Sequence, residues 1–408
     1  MLGLRRGCRR TWLVARPPWS VARLSTGSAR HRVVIPLPDN LKEFQLKGSR
    51  PLELHVRPSL SNEIQLETSL PDAFRVTTAT QSTSTSIRVE DSEADHDDGT
   101  LLYAELYLPP QIDLNVSIVQ GKATLHDKIE GNVSIAVSHG DISVDKVRGN
   151  TLRLASNDGA IHVKTLVEGD KAILTAKQID CKRLMAQRAD ITLARHPAAA
   201  LNSSFGALYT SLATIQSAAS GNLSIGNVHG GLDIRSDGMA EIHVGSVNGS
   251  LFVEDTGDNC NLNVHFDAIA PSTDDTSTRL VVGGNARISV APSLELGVDL
   301  HASAVETPGC AFDDGYELDQ LEEDYVVATG TLKPTADAAV ASTMSSGKIN
   351  LNGAKASAMT TSFFSQKTAD DTTSQAQLFV HAINGKVILE QKSWMDKIRD
   401  KHAALKKD

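Results

Sequence analysis

Two histidines, His162 in AIHV and His243 in EIHV, occupy the same slot of a repeated four-residue phrase. Such a pair could share a metal ion or pass a proton. The triplet Asp255-Thr256-Gly257 has the form of an aspartic-protease acid site, where two close carboxylates share one proton. Its flanks are charged (VEDTGD) and it has no second copy, so it reads as a turn. The acidic run DSEADHDDGT, residues 91–100, suggests calcium. An EF-hand loop starting at Asp91 would need its glycine in the sixth position, and Gly99 is not there. That run reads as a solvated hairpin loop.

Other acids, Asp145, Asp233, Glu241 and Glu254, fall at strand positions that face outward. Glycan-cleaving enzymes need two carboxylates about 5 to 9.5 Å apart, and nothing in the sequence selects such a pair. Cys8, Cys181, Cys260 and Cys310 are widely spaced with no C-x-x-C, which excludes a zinc or disulfide framework and leaves buried free thiols. Walker, G-x-S-x-G, H-E-x-x-H and G-x-G-x-x-G signatures do not occur. No catalytic, cofactor-binding or metal-ligating residue is assigned, and no cofactor is expected.

The elements that would position these residues are set by a beat of glycines. G-x-Φ-x-Φ, with Φ aliphatic, occurs at Gly121, Gly131, Gly140, Gly159, Gly221, Gly230, Gly249, Gly347 and Gly385. Each unit is a glycine turn followed by a half-buried strand whose Φ residues point inward. The turns are of two kinds. One has an aliphatic residue two before the glycine, as in VRGN at Gly149 and VNGS at Gly249; the other follows serine, as in SHGD at Gly140. The first kind recurs at 131, 149 and 169 and again at 230 and 249, so a nine-residue beat is half of a repeat near 19. That is the length of one coil of a β-solenoid. An antiparallel meander or sandwich also alternates two turn classes. In a stack, His162 and His243 would lie about four coils apart, ~19 Å, too far to share a metal or proton.

Composition agrees with stacked β layers: hydrophobic residues make up 40% and aromatics only 4%. The predicted fold is therefore all-β, an elongated stacked β-solenoid with a short C-terminal helix. Four segments are expected. Residues 1–32 carry eight arginines and no acid, the signature of a mitochondrial transit peptide, with processing near Leu24 to Ser28. Residues 33–110 form a β lead-in and 111–391 the repeat. Residues 392–408 form an amphipathic helix capped by Ser393, covering the open end of the stack and available for weak membrane contact. The beat weakens over CKRLMAQRADITLARHPAAALNSSF, 181–205, and over a polar insertion at 267–280. DDGYELDQLEEDYVV, 313–327, reads as an acidic projection.

Formal net charge is −9 for the whole chain and −15 once the six arginines of residues 1–24 are removed. A body that acidic repels phosphate, which excludes general nucleic-acid binding. No apolar run is long enough to span a membrane. Five N-x-S sequons, at Asn115, Asn132, Asn202, Asn222 and Asn248, read as turn chemistry in a mitochondrial protein.

The stretch LPPQIDLNVSIVQGKATLHDKIEGNVSIAVSHGDISVDKVRGN resembles the bacterial adhesin domain family of unknown function, in which a β-rich lead-in precedes strings of G-x-Φ-x-Φ. With its Arg-rich leader and terminal KSWMDKIRDKH, the chain is similar to a eukaryotic branch of that family. The resemblance spans roughly residues 50 to 390 and implies a stacked β fold with no established reaction. The sequence thus points to a non-enzymatic β-repeat protein presenting a long acidic face to an unknown protein partner in the mitochondrial matrix. The alternatives are a carbohydrate-active hydrolase or lyase on the same scaffold, and an adhesin-like surface protein.

Overall fold

In the computed structural model, the described residues are 30–37, 41–61, 63–70, 73–81, 84–91, 100–196, 199–271, 278–335 and 376–393, with Asp396 and Arg399. The lead-in supplies β1 (His31–Pro36), β2 (Leu41–Pro58), β3 (Glu63–Thr68), β4 (Phe74–Gln81), β5 (Ser84–Asp91) and β6 (Leu102–Leu108). The repeat supplies β7 (Asp113–Glu130), β8 (Val133–His139), β9 (Ile142–Arg148), β10 (Thr151–Ser156), β11 (Ala160–Ala176), β12 (Gln178–Leu193), β13 (Ser203–Ser217), β14 (Asn222–Ser236), β15 (Glu241–Asp255) and β16 (Asn261–Ile269). The last third adds β17 (Thr278–Val282), β18 (Ala286–Val290), β19 (Leu296–Ala302), β20 (Ala304–Glu306), β21 (Glu317–Glu322), β22 (Tyr325–Leu332), β23 (Gln377–Ala382) and β24 (Lys386–Gln391). All belong to one hydrogen-bonded sheet, so the all-β expectation holds.

Pairing direction carries the architecture. From β7 to β16 every pairing is parallel, and Val116 meets Ile135, Ile135 meets Leu154, and Ile234 meets Val253. The 19-residue period of the sequence is therefore the distance along the chain from one rung to the next. Antiparallel pairing, which a meander would need throughout, is confined to β1–β3, β3–β6 and β4–β5 at one end and to β19–β22 and β21–β22 at the other.

Because the register is kept, inward residues line up in ladders. One runs from Leu46 through Val116, Ile135, Leu154, Leu174, Ile191, Ile215, Ile234, Val253, Leu280 and Val380 to Leu300. A second carries Leu125, Val144, Val163, Cys181, Phe205, Ile225 and Val244. These residues form one continuous buried core. The sequence placed only the G-x-Φ-x-Φ residues inside. A third ladder comes from the aliphatic residues two before the glycines, Ile129, Val147, Val167, Val228 and Val247, all buried. Each coil thus has three inward sides, and burial of aliphatic surface at about 25 cal/mol per Å² is the principal stabilising term.

The glycines follow from the same stacking. A Cβ on Gly140 would lie 1.7 Å from the carbonyl oxygen of Gly121, and one on Gly159 would lie 2.1 Å from that of Gly140. Successive turns approach so closely that the backbone of one rung fills the side-chain position of the next. Asx side chains tie the same corners: Asp113 Oδ1 accepts from the Asn132 N–H at 2.7 Å, and Asn132 Oδ1 from the Thr151 N–H at 2.8 Å.

Sequence order and stacking order part company at both ends. β2 lies between β5 and β7, and β23 lies between β17 and β19, so a chain-terminal segment fills the rung beside each end. Two expectations are corrected. Residues 181–205 keep the register, as β12 and β13, and a 24-residue step from Cys181 to Phe205 absorbs the irregular loop. The C-terminal helix is not seen as an element among the described residues, and antiparallel strands lie at each end of the stack. Asp396 and Arg399 alone have helical backbone among the described residues, and the Asp396 N–H donates to Ser393 Oγ at 3.2 Å while Asp396 Oδ2 accepts from the Ser393 N–H at 3.2 Å. The rest of that helix, the GKINL unit at Gly347, residues 272–277 of the polar insertion and most of the run at 91–100 lie outside the described residues.

Gly140→Ala should lower stability by about 3 kcal/mol, because Gly140 has φ 137° and no room for a methyl group. Gly238→Ala should cost only about 1–2 kcal/mol, since Gly238 has φ 81° with nothing within 4 Å. Urea unfolding midpoints of the two variants check this; equal losses would contradict the stacking explanation.

Candidate binding surface

Outward positions also form columns, and these carry the chain's chemistry. His162 and His243 share one column with Asp180, Ser204 and Ser224 between them, four rungs apart as expected from the period. Part of this column lines a shallow depression of about 390 Å³ with Gln178, Asn202 and Asn222, all hydrogen-bonding side chains. Asp180 Oδ1 in it already accepts from Ser204 Oγ at 2.5 Å. The outward acids stay apart: Asp145 accepts from Thr165 Oγ1, and Asp233 pairs with Arg235. Asp255 is buried within its turn, accepting from the N–H groups of Gly257 at 2.8 Å and Met239 at 3.2 Å and from Ser236 Oγ. Those bonds tie the carboxylate to its own turn.

Two constellations escaped the sequence reading because they join residues from different rungs. Ser289 Oγ lies 2.9 Å from His265 Nδ1, and His265 Nε2 lies 3.1 Å from Asp267 Oδ1. The imidazole is 0% exposed and Ser289 5%, so the histidine–serine contact lies in the core, while the Asp267 side chain reaches solvent. His55 Nδ1 and His126 Nε2 are 2.9 Å apart, within hydrogen-bond reach, with the rings stacked at 5.2 Å. Burial, followed by Arg57 and His55, pushes the His126 imidazole down. Among the described residues no group of three or more His, Cys, Asp or Glu side chains is placed to hold a metal ion, and no helix is long and apolar enough to cross a membrane.

The surface that departs most from a polar wall lies on β12, β13 and β14. Met185 is paired in register with Tyr209, and Tyr209 with His229. The Tyr209 and His229 rings stack at 4.7 Å and 3°. Met185 and Tyr209 are 36% and 37% exposed, and Leu212, further along β13 and in register with Arg188, is 45% exposed. Large apolar side chains on neighbouring rungs are costly to leave in water, and Tyr, Met and Arg are enriched where proteins touch. Arg183 and Lys182 beside them are exposed and form no ion pair among the described residues. Of the nearby acids, Glu168 pairs with Arg148 at 2.8 Å and Asp190 with Arg188 at 3.1 Å. Asp180, which lines a depression with Lys164 and Lys182, accepts only from Ser204 among the described residues and is outnumbered by Lys164, Lys182 and Arg183. The uncompensated charge of the patch is therefore positive, on a chain of net charge −9. The signal was legible as the weakened beat at CKRLMAQRAD: the inward positions keep their pattern while the outward ones change character.

No family model matches the chain, and no curated protein matches it. Solved structures do. A protein of Parabacteroides merdae provisionally named an adhesin is 15% identical, covering 58% of this chain and 96% of its own, with a TM-score of 0.42. A provisionally named lipid-binding protein of Parabacteroides distasonis is 16% identical over 58% of this chain and 96% of its own, with a TM-score of 0.40. A provisionally named cell adhesion protein of Clostridium sporogenes is 7% identical over 89% of this chain and all of its own, with a TM-score of 0.19. These likenesses are distant, and the reading of function rests on the surface itself.

Burial pushes the thiols of Cys181 and Cys260 up to about 12, since both lie in the core. In the native protein at pH 8 they should resist a disulfide reagent that titrates them at once in urea. Rapid labelling of Cys181 in the folded chain would contradict its place in the ladder.

Proposed function

We propose that the chain is a non-enzymatic β-solenoid that binds a protein partner through the Met185–Tyr209–Leu212 patch, in the mitochondrial matrix. The solenoid reading is supported by parallel, in-register pairing at steps near 19 residues from β7 to β16. A rigid stack of this kind fixes the spacing of outward side chains without a mobile loop, which suits recognition of an extended surface. The observation that carries the binding reading is the exposure of Met185 on β12 beside Arg183 and of Tyr209 and Leu212 on the neighbouring β13. Sequence charge alone pointed to a long acidic face as the contact. The exposed apolar groups shift that contact to a locally basic patch, with the acidic remainder of the wall limiting non-specific association. The matrix location is supported by the acid-free, Arg-rich first 32 residues.

Tyr209→Ser with Met185→Ser should weaken capture of a saturable partner from mitochondrial extract at least tenfold, about 1.4 kcal/mol, without changing the urea midpoint. Unaltered capture by this folded variant would exclude the patch. Residues 1–35 fused to a fluorescent reporter should carry it into mitochondria; a reporter left in the cytosol or sent to the secretory route would overturn the location.

A further inference from the structure

The patch has a chemical complement on the same chain. Residues 313–324, DDGYELDQLEED, hold seven acids and no base. They include β21, whose six residues are all exposed, with Leu318 at 51% and Leu321 at 62%. β21 pairs with β22 alone among the described residues, so it is the outermost strand at this end of the sheet. A projecting strand that combines carboxylates with two bare leucines matches a surface that combines Arg183 and Lys182 with Met185, Tyr209 and Leu212. Either half by itself is unfavourable: one exposes apolar area, and the other adds concentrated negative charge. Brought together, each offsets the other's cost.

The two halves cannot meet within one molecule. The patch is centred on β13, and β21 is reached from there through β14, β15, β17, β23, β19 and β22, seven strand spacings or about 34 Å along a rigid stack. We propose that the β21–β22 hairpin of one copy docks on the Met185–Tyr209–Leu212 patch of a second copy, so that the protein self-associates. A two-fold pairing makes this contact twice, once in each direction, which doubles the buried area for one set of residues. This inference rests on the patch being a contact surface, as proposed above, and it names the occupant.

Sedimentation velocity of the purified full-length chain over a hundredfold concentration range tests it. The expected result is a concentration-dependent dimer that weakens as salt rises, because the contact uses opposite charges. Lys182→Glu with Arg183→Glu should shift the dimerisation constant at least tenfold towards monomer, and so should Asp319→Lys with Glu322→Lys in the hairpin. An equimolar mixture of these two variants should recover hetero-association, since each then supplies the charge that the other has reversed. Leu318→Ser with Leu321→Ser should also dissociate the dimer, at a position where both side chains are already in water and folding is unaffected. A wild-type chain that stays monomeric throughout overturns the inference, as does a dimer indifferent to all these changes. If the chain is monomeric yet the Tyr209→Ser, Met185→Ser variant still loses its mitochondrial partner, self-association fails and the binding function stands.

Discussion

The backbone hydrogen bonds between one rung and the next, made in parallel and in register, are the constraint on which everything else depends. Parallel pairing stacks like on like, so each position in a coil must suit the same position in the coils above and below. An aliphatic residue finds an aliphatic residue, as Ile135 finds Val116 and Leu154. A glycine finds the carbonyl of another glycine where its own side chain would have been, as Gly140 finds Gly121. Repetition in the sequence is thus the consequence of translation in space. The same logic explains a chain with only 4% aromatics, because a column of rungs about 4.8 Å apart takes branched aliphatic side chains more readily than rings.

A stack of this kind has two ends, and exposed strand edges invite uncontrolled pairing. The chain meets that hazard with antiparallel strands, β4 on β5 and β1 on β3 at one end, β22 on β19 and β21 on β22 at the other. Chain-terminal segments then close the gap between these covers and the repeat. At the amino-terminal side β2 is held also by Glu105, buried on β6, which receives Arg57 from β2 and Arg30 from the start of the described chain. Burial pushes the Glu105 carboxyl up, and Arg57 and Arg30 outweigh it, leaving the group below its usual range. A carboxylate held low contributes stability above its unfolded value and loses it as pH falls through the folded one, so acid should loosen this end of the stack.

Much of this was written in the sequence, and the exceptions have physical reasons. The period, the inward Φ positions and the outward placement of His162 and His243 were legible because translation preserves them. Direction of pairing was not, since a half-buried strand alternates in the same way whether its neighbour runs parallel or antiparallel. Nor was the insertion of β23 beside β17, where the pairing of Leu280 with Val380 spans 100 residues and leaves no periodic trace. The third ladder is visible as the aliphatic residue two before the glycine, which marks a turn in the sequence and a core position in the structure. The Ser289–His265–Asp267 group arises from side chains set together by register, which no single segment reveals, while the Met185–Tyr209 patch left only the weakened beat at CKRLMAQRAD. The patch is the reading with functional weight, because its apolar side chains face water while the core beneath them is complete.

The central claim is that 19 residues advance the chain by one rung. Spin labels at the outward positions Ala136 and Gln216 test it most directly. Their columns connect through Ala155, Thr175 and Thr192, four strand spacings in all. A parallel stack predicts a narrow distance distribution near ~19 Å. A flat antiparallel arrangement of nine-residue strands would pass about eight strands between the same labels and give about twice that distance, ~38 Å, and a distribution centred there would contradict the account.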